Sequence, residues 1–319
     1  MITITLAIPA FIVGVIFLWK GSDILVDGTS KTAAQLGVSA LIISVILVGF
    51  GTSAPEFAIS VGAAYQGNSD ISLGNVIGSC IANLLLVLGI ASIIRPIKIK
   101  KGLIKREVPI MLGATIFLIF ASFLGLLDEY HLIGGAIFLI LFAAFIYYFF
   151  CCAKKERNNN KKINQEKTVK NLLFIFLGII GVVAGAWLLI ESAVVIADFL
   201  GIPAFIIAVS MVAVGTSLPE MVVSSMAAYR GESDIAIGNV LGSNVFNVLM
   251  ILGVAALFIK LKANTPESMA HLFILLAVTC VIFLILYSGH YITRKEGVFM
   301  LGLYSVFIWF AFFGYQMFF

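Results

Sequence analysis

The sequence predicts an all-α membrane protein: ten transmembrane helices in two inverted five-helix repeats, with broken helices 2, 3, 7 and 8. Three observations predict it. Of 319 residues, 61% are hydrophobic and 11% are charged, with mean hydropathy +1.13, against about 25% charged in a soluble domain. The apolar runs reach about 20 residues, the length an α-helix needs to cross the hydrocarbon of a bilayer. The two halves align without a gap at an offset of 164, and 22 of 39 positions are identical between Gly51–Gly89 and Gly215–Gly253.

The expected spans lie near residues 4–30, 38–66, 70–94, 107–127, 131–152, 170–197, 203–229, 234–259, 268–288 and 296–317. Continuous apolar runs, rather than segments of alternating polarity, argue for helices over a barrel. The first run has no basic leader and no small-residue cleavage site after it, so it reads as a span and not as a signal peptide. Five helices per half is an odd number, so the second half must enter the membrane upside down relative to the first. Inverted repeats with broken helices at their interface are the build of secondary transporters.

Basic residues set the orientation. With ten spans, 17 of the 20 Lys and Arg residues fall in the odd-numbered loops, including Arg95–Arg106 and Lys154–Lys170. By the positive-inside rule those loops are cytoplasmic and both termini are outside, in a multi-pass protein of the cell membrane. The segment KKERNNNKKINQEK is the longest polar stretch. Residues 153–169 therefore read as a solvated linker between a first repeat, 1–152, and a second, 170–319. Its basic residues can also touch anionic headgroups.

Within this frame two stretches are out of character: GTSAPE at Gly51–Glu56 and GTSLPE at Gly215–Glu220. Each breaks an apolar run with a proline, which removes a backbone donor and clashes one turn back. Each also carries a carboxylate, which costs about 2.5–3.5 kcal/mol in mid-membrane on insertion scales. Pro55 frees the carbonyl of Gly51, and Thr52, Ser53 and Glu56 sit within little more than one turn. In the next helix Ser79 and Asn83 are four apart, on one face. The second half supplies Thr216, Ser217, Glu220, Ser243 and Asn247, with Pro219 freeing the carbonyl of Gly215. These are all oxygen donors, which suit hard cations such as Ca²⁺ and Na⁺ rather than zinc or copper. No buried Lys or Arg accompanies the motifs, so mobile cations or protons must neutralise the glutamates.

Other features read more blandly. Gly74/Gly78 and Gly238/Gly242 form GxxxG packing surfaces. Asn75 and Asn239 hydrogen-bond between helices. Asp70 and Asp234 are expected as N-caps. Lys20 can pair with Asp23, and Asp23, Asp27 and Glu191 read as solvated helix-end charges. Cys80, Cys151, Cys152 and Cys280 show no metal spacing, and His131, His271 and His290 lie away from the motifs.

The pair VGFGTSAPE and VAVGTSLPE, followed by SLGNVIGS and AIGNVLGS, resembles the α-repeats of the cation/calcium antiporter superfamily, most of all its prokaryotic sodium/calcium exchangers. The match is specific over 38–94 and 202–258, and the ten-helix plan extends it over nearly the whole chain. The resemblance implies exchange of external Na⁺ for internal Ca²⁺, with ligands at Thr52, Ser53, Glu56, Ser79, Asn83, Thr216, Ser217, Glu220, Ser243 and Asn247. It adds the backbone carbonyls of Gly49 and Ala213. It also implies that the first and sixth helices slide across a rigid core.

Two departures matter. The linker is too short for the regulatory insertion of animal exchangers. Asparagine at 247, where a potassium-dependent branch has aspartate, leaves two carboxylates in the site. Glu56 and Glu220 would balance one Ca²⁺ or two Na⁺, so the ions would compete, and a third Na⁺ would make transport electrogenic. Alternatives are a proton/Ca²⁺ antiporter on the same scaffold, a passive cation channel and a non-transporting membrane sensor. No enzymatic activity, resident cofactor, nucleic-acid partner or obligatory protein partner is implied; the partners are the two ions and the bilayer.

Overall fold

The computed structural model describes residues 4–157, 165–200, 215–289 and 291–311. Apart from one pair of two-residue strands, its regular elements are helices. In chain order they are α1 (Ile4–Leu36), α2 (Ala40–Thr52), α3 (Ala54–Tyr65), α4 (Ser69–Ile94), α5 (Lys101–Phe123) and α6 (His131–Glu156). After the linker come α7 (Gln165–Phe199), α8 (Leu218–Arg230), α9 (Ser233–Phe258), α10 (Pro266–Ser288) and α11 (Arg294–Trp309). Seven of these are long and apolar enough to cross a membrane, and the α2–α3 pair, bent by 49°, makes eight. The first half of expected span 7 and the end of span 10 lie outside the described residues.

The bend between α2 and α3 falls at Ser53, with Pro55 in the first turn of α3, where its missing N–H leaves no helical bond unmade. Ser53 (φ −81°, ψ 11°) and Ser217 (φ −83°, ψ 9°) adopt the same conformation, each just before a helix with proline in its first turn. Helices 3 and 8 are not broken as the sequence suggests. Each runs on as one helix, α4 and α9, with a wide π-type turn at Asn83–Val87 and Phe246–Ile251. Neither stretch contains a proline, so the ladder widens to i→i+5 and continues.

α1 and α7 lie antiparallel along a seam of glycines. A Cβ added at Gly14 would sit 2.9 Å from the amide nitrogen of Leu189, at Gly21 2.8 Å from that of Val182, and at Gly28 3.1 Å from that of Ile175. Gly178 and Gly185 make the reciprocal approach to Leu25 and Leu18, at 2.7–2.8 Å. Small residues let the two backbones touch.

Loop contacts sort the ends of the helices into two faces. On one, β1 (Ile97–Lys98) pairs antiparallel with β2 (Tyr291–Ile292), Ile97 opposite Ile292. Lys100 binds Asp234, Arg106 binds Glu156, and Glu156 accepts from the Ser39 amide. Arg230 pairs with both Asp23 and Asp27, and Ser30 donates to Glu232. These contacts join all five loops that the sequence puts on the basic side. On the opposite face, the Leu261 amide donates to Leu127 O at 2.8 Å and the Asn264 amide to Asp128. Burial there raises the Asp128 carboxyl above its usual range, against the backbone donors of Asn264 and Ala263.

Three local expectations change. The N-cap of α4 is Asn68, whose side chain accepts from the Ile71 amide. That of α9 is Glu232. Asp70 and Asp234 sit two residues inside, where a carboxylate still favours the helix N-terminus. Asp23 takes Arg230 from a distant helix rather than Lys20, and Asp27 takes Lys31 at 2.6 Å as well as Arg230.

Of the two expected GxxxG packing surfaces, Gly238 and Gly242 form one, which receives α2, whereas a Cβ at Gly74 or Gly78 would meet nothing within 4 Å among the described residues. A Cβ at Gly242 would lie 2.5 Å from the Val45 carbonyl oxygen and 2.8 Å from its Cα. Backbone cannot yield there, so Gly242→Ala should push α2 off α9 at an overpacking cost of about 1–3 kcal/mol or more. The expected result is a clear drop in the thermal unfolding midpoint of the purified protein, which an unchanged midpoint would contradict.

Candidate cation site

The two GTSxPE turns meet in the interior. Glu56, in the first turn of α3, and Glu220, in the first turn of α8, are both fully buried. Ser53, in the same turn as Glu56, reaches Glu220 directly. Ser53 Oγ, at the α2–α3 bend, donates to Glu220 Oε1 at 2.9 Å, and Ser243 Oγ of α9 lies 3.4 Å from the same oxygen. The first half thus holds one oxygen of the second half's carboxylate.

The remaining predicted residues close around this pair. Ser243 Oγ donates to the Gly49 carbonyl at 3.1 Å and lies 3.5 Å from Thr52 Oγ1. Ser79 Oγ of α4 makes the corresponding contact with Thr216 Oγ1, at 3.2 Å. Ser217 is buried at the start of α8, and Asn83 and Asn247 are fully buried at the π-turns of α4 and α9. Ala213 lies outside the described residues.

Asn75 and Asn239 act as cross-braces. Asn75 Nδ2 donates to Ser60 Oγ (2.8 Å) and to the Glu56 carbonyl (3.3 Å). Asn239 Nδ2 donates to Ser224 Oγ (3.0 Å) and to the Glu220 carbonyl (3.3 Å). Each ties the helix bearing the glutamate to the one behind it. Asn239 does more than the sequence suggested, because its Oδ1 also takes the Thr52 hydroxyl at 3.0 Å. Ser60 and Ser224 were visible only as an identity at the repeat offset. Asn244, which bonds Asn83, carried no sequence signal, since its counterpart is Cys80.

The electrostatics are unbalanced. Both oxygens of Glu56, Oε2 of Glu220, Oδ1 of Asn83 and both amide atoms of Asn247 are buried without a hydrogen-bond partner among the described residues. Among the described residues no Lys, Arg or His pairs with either glutamate. Nor do any three His, Cys, Asp or Glu side chains cluster. Two carboxylates are therefore supplemented by hydroxyl, amide and carbonyl oxygens, a donor set for a hard cation. A cavity of about 970 Å³ between α3, α4 and α7 reaches the site at Asn75 and Thr216, with Asp70 and Glu191 in its wall.

By fold and site the molecule is of the class of multi-pass helical membrane proteins that hold ionisable groups in their interior. The chain belongs to the sodium/calcium exchanger protein family, whose model matches residues 6–151 and 170–313. It is 35% identical over 347 residues to the sodium/calcium exchanger MaX1 of Methanosarcina acetivorans, covering 97% of this chain and 98% of that one. It is 36% identical over 304 residues to membrane protein MJ0091 of Methanocaldococcus jannaschii, covering 94% and 96%. Its fold superposes on the sodium-calcium exchanger NCX_Mj soaked with 10 mM Na⁺ and zero Ca²⁺, with TM-score 0.82 and 36% identity over 95% of this chain and 98% of that one.

Proposed function

We propose that this chain is a secondary active antiporter that exchanges Na⁺ for Ca²⁺ across the cell membrane by alternating access, the two ions competing for one site. The observation that carries this reading is the pair Glu56 and Glu220, fully buried, with three of their four oxygens unpartnered. Buried carboxylates without cationic partners are expensive, and one Ca²⁺ or two Na⁺ would balance them. Thr52, Ser53, Ser79, Asn83, Thr216, Ser217, Ser243 and Asn247, with the carbonyls of Gly49 and Ala213, complete the proposed ligand set. Shared oxygens make the two occupancies exclusive, and exclusivity couples the fluxes.

The proposed architecture is ten helices in two inverted repeats, 1–152 and 170–319, joined by the linker 153–169. Its support is the antiparallel seam of α1 and α7, the first helix of each half, together with the sorting of odd-loop contacts to one face. The family match in two stretches that skip the linker agrees with it. The basic face is proposed as cytoplasmic, with both termini outside. α1 and α7 would be the elements that move, exposing the site to one side and then the other.

The test is Ca²⁺ uptake by purified protein in Na⁺-loaded liposomes. Uptake should collapse when internal Na⁺ is replaced by K⁺. Uptake driven by a pH gradient without Na⁺ would make the proton the counter-ion. Flux with no counter-ion at all would make the molecule a channel.

A further inference from the structure

The two π-turn asparagines are not held alike. Asn83 Nδ2 donates to Asn244 Oδ1 at 3.1 Å, and Asn244 Nδ2 donates in turn to the backbone carbonyl of Cys80 at 3.2 Å. A carbonyl can only accept, so it fixes which way round the Asn244 amide sits. Its oxygen must then face Asn83, and Asn83 must answer with its NH₂. The consequence is that Asn83 Oδ1 points away from this chain of bonds, and it is left buried and unpartnered, as the oxygens of Glu56 are.

In the other half Cys80 stands where Asn244 stands in the second, at the repeat offset. The Cys80 thiol reaches the carbonyl of Asn244 at 3.9 Å, the mirror of the bond that anchors Asn244. The sulfur that remains is only a weak acceptor, so it holds a second partner far less firmly than an amide oxygen does. Asn247 faces that thiol, and neither of its amide atoms completes a hydrogen bond of ordinary geometry.

We propose that Asn244 is a positioning residue that locks the Asn83 amide with its oxygen toward the cation, and that Cys80 leaves Asn247 without such a lock. The ion site is then built with one fixed amide ligand and one free to turn. The proposal rests on the ligand reading of Asn83 given above. Outer partners that orient metal ligands are generally worth about 10–100-fold in affinity.

The test is Ca²⁺ titration of the purified full-length protein, read by calorimetry and by the Ca²⁺-induced thermal shift, on Asn244→Cys, Asn83→Leu and the double variant. Asn244→Cys, which copies the other half's residue, should weaken Ca²⁺ binding by about tenfold or more. In the Asn83→Leu background it should weaken binding no further, because a residue that acts only through Asn83 has nothing left to orient. Additive loss in the double variant would make Asn244 merely structural and overturn the proposal. So would wild-type affinity in Asn244→Cys while Asn83→Leu binds weakly, an outcome that leaves the site itself standing. Wild-type affinity in Asn83→Leu would remove the ligand reading and the proposal with it. Should Asn244→Cys fail to fold, Cys80→Asn carries the test in the opposite direction. The new amide can reach the Asn244 carbonyl and take the Asn247 NH₂, and binding should tighten by about threefold or more, through pre-organisation. Absence of tightening would count against the lock.

Discussion

Glu56→Gln and Glu220→Gln each abolish Na⁺-driven Ca²⁺ uptake in liposomes while the protein still folds. Glutamine keeps the shape of the side chain, and both positions are completely buried, so little packing is lost. What changes is charge. With one carboxylate left, a bound Ca²⁺ carries an uncompensated positive charge in an interior without a counter-anion to spare. At about 4 Å and an effective dielectric of about 20, each carboxylate–cation charge pair is worth about 4 kcal/mol. That corresponds to roughly a thousandfold in affinity. Uptake at Ca²⁺ concentrations that saturate the wild type should therefore fall at least about a hundredfold. The same variants separate binding from folding. Without ions, Gln relieves the repulsion between the two carboxylates, so each variant should melt no earlier than the wild type. Added Ca²⁺ should raise the midpoint of the wild type by mass action and leave that of the variants unmoved. Ordinary Na⁺-driven uptake by either variant would remove the central assignment.

The pieces legible in the sequence share one property: each is a departure from what a lipid-facing helix tolerates. Pro55 and Pro219, the two glutamates and their hydroxyl neighbours stand out because apolar surroundings make them expensive, and the repeat offset doubles the signal. The same economy made the loops readable, since Lys100, Arg106 and Arg230 all take partners on the face to which the charge count sends them. What stayed hidden was the choice among partners of similar chemistry. Asp23 binds Arg230 rather than the nearer Lys20 because the tertiary fold brings α8 against α1, and i,i+3 pairing is worth only a few tenths of a kcal/mol, about 0.2–0.5. The cap of α4 moved from Asp70 to Asn68 because both residue types cap well and only backbone geometry decides between them. The π-turns of α4 and α9 demand no proline or glycine, so nothing announced that these helices would widen rather than break. Asn244 was invisible for a further reason. The repeat draws the eye to identities, and this residue matters because the halves differ there.

Gly21→Val stops exchange and leaves Ca²⁺ binding in place. A Cβ alone at Gly21 would lie 2.8 Å from the Val182 amide nitrogen and 2.9 Å from the Gly181 carbonyl carbon. Ordinary contact is about 3.5–4.0 Å, so α1 and α7 must part by roughly 1 Å at the middle of their seam. That displacement reaches the site. Ile179 of α7 lies against Gly51, where a Cβ would meet its Cδ1 at 2.3 Å, and Ile190 lies against Gly215 at 3.3 Å. The wall beside both GTSxPE turns is thus carried by the helix that Gly21 holds. The proposed ligands sit on α2, α3, α4, α8 and α9 and in the turns before α3 and α8, whereas the atoms nearest a Cβ at Gly21 all belong to α7. If α1 and α7 are the moving pair, uptake should fall by about tenfold or more while the Ca²⁺-induced thermal shift persists. Gly302→Ala is the control, since a Cβ at Gly302 meets nothing within 4 Å, and it should exchange normally. Wild-type exchange in Gly21→Val would show that the seam can loosen without consequence. Loss of binding along with exchange would place the glycines in the packing of the fold rather than in its motion. Retained binding with lost exchange is the result that distinguishes a moving seam from a merely tight one, because only motion is needed for the second and not for the first.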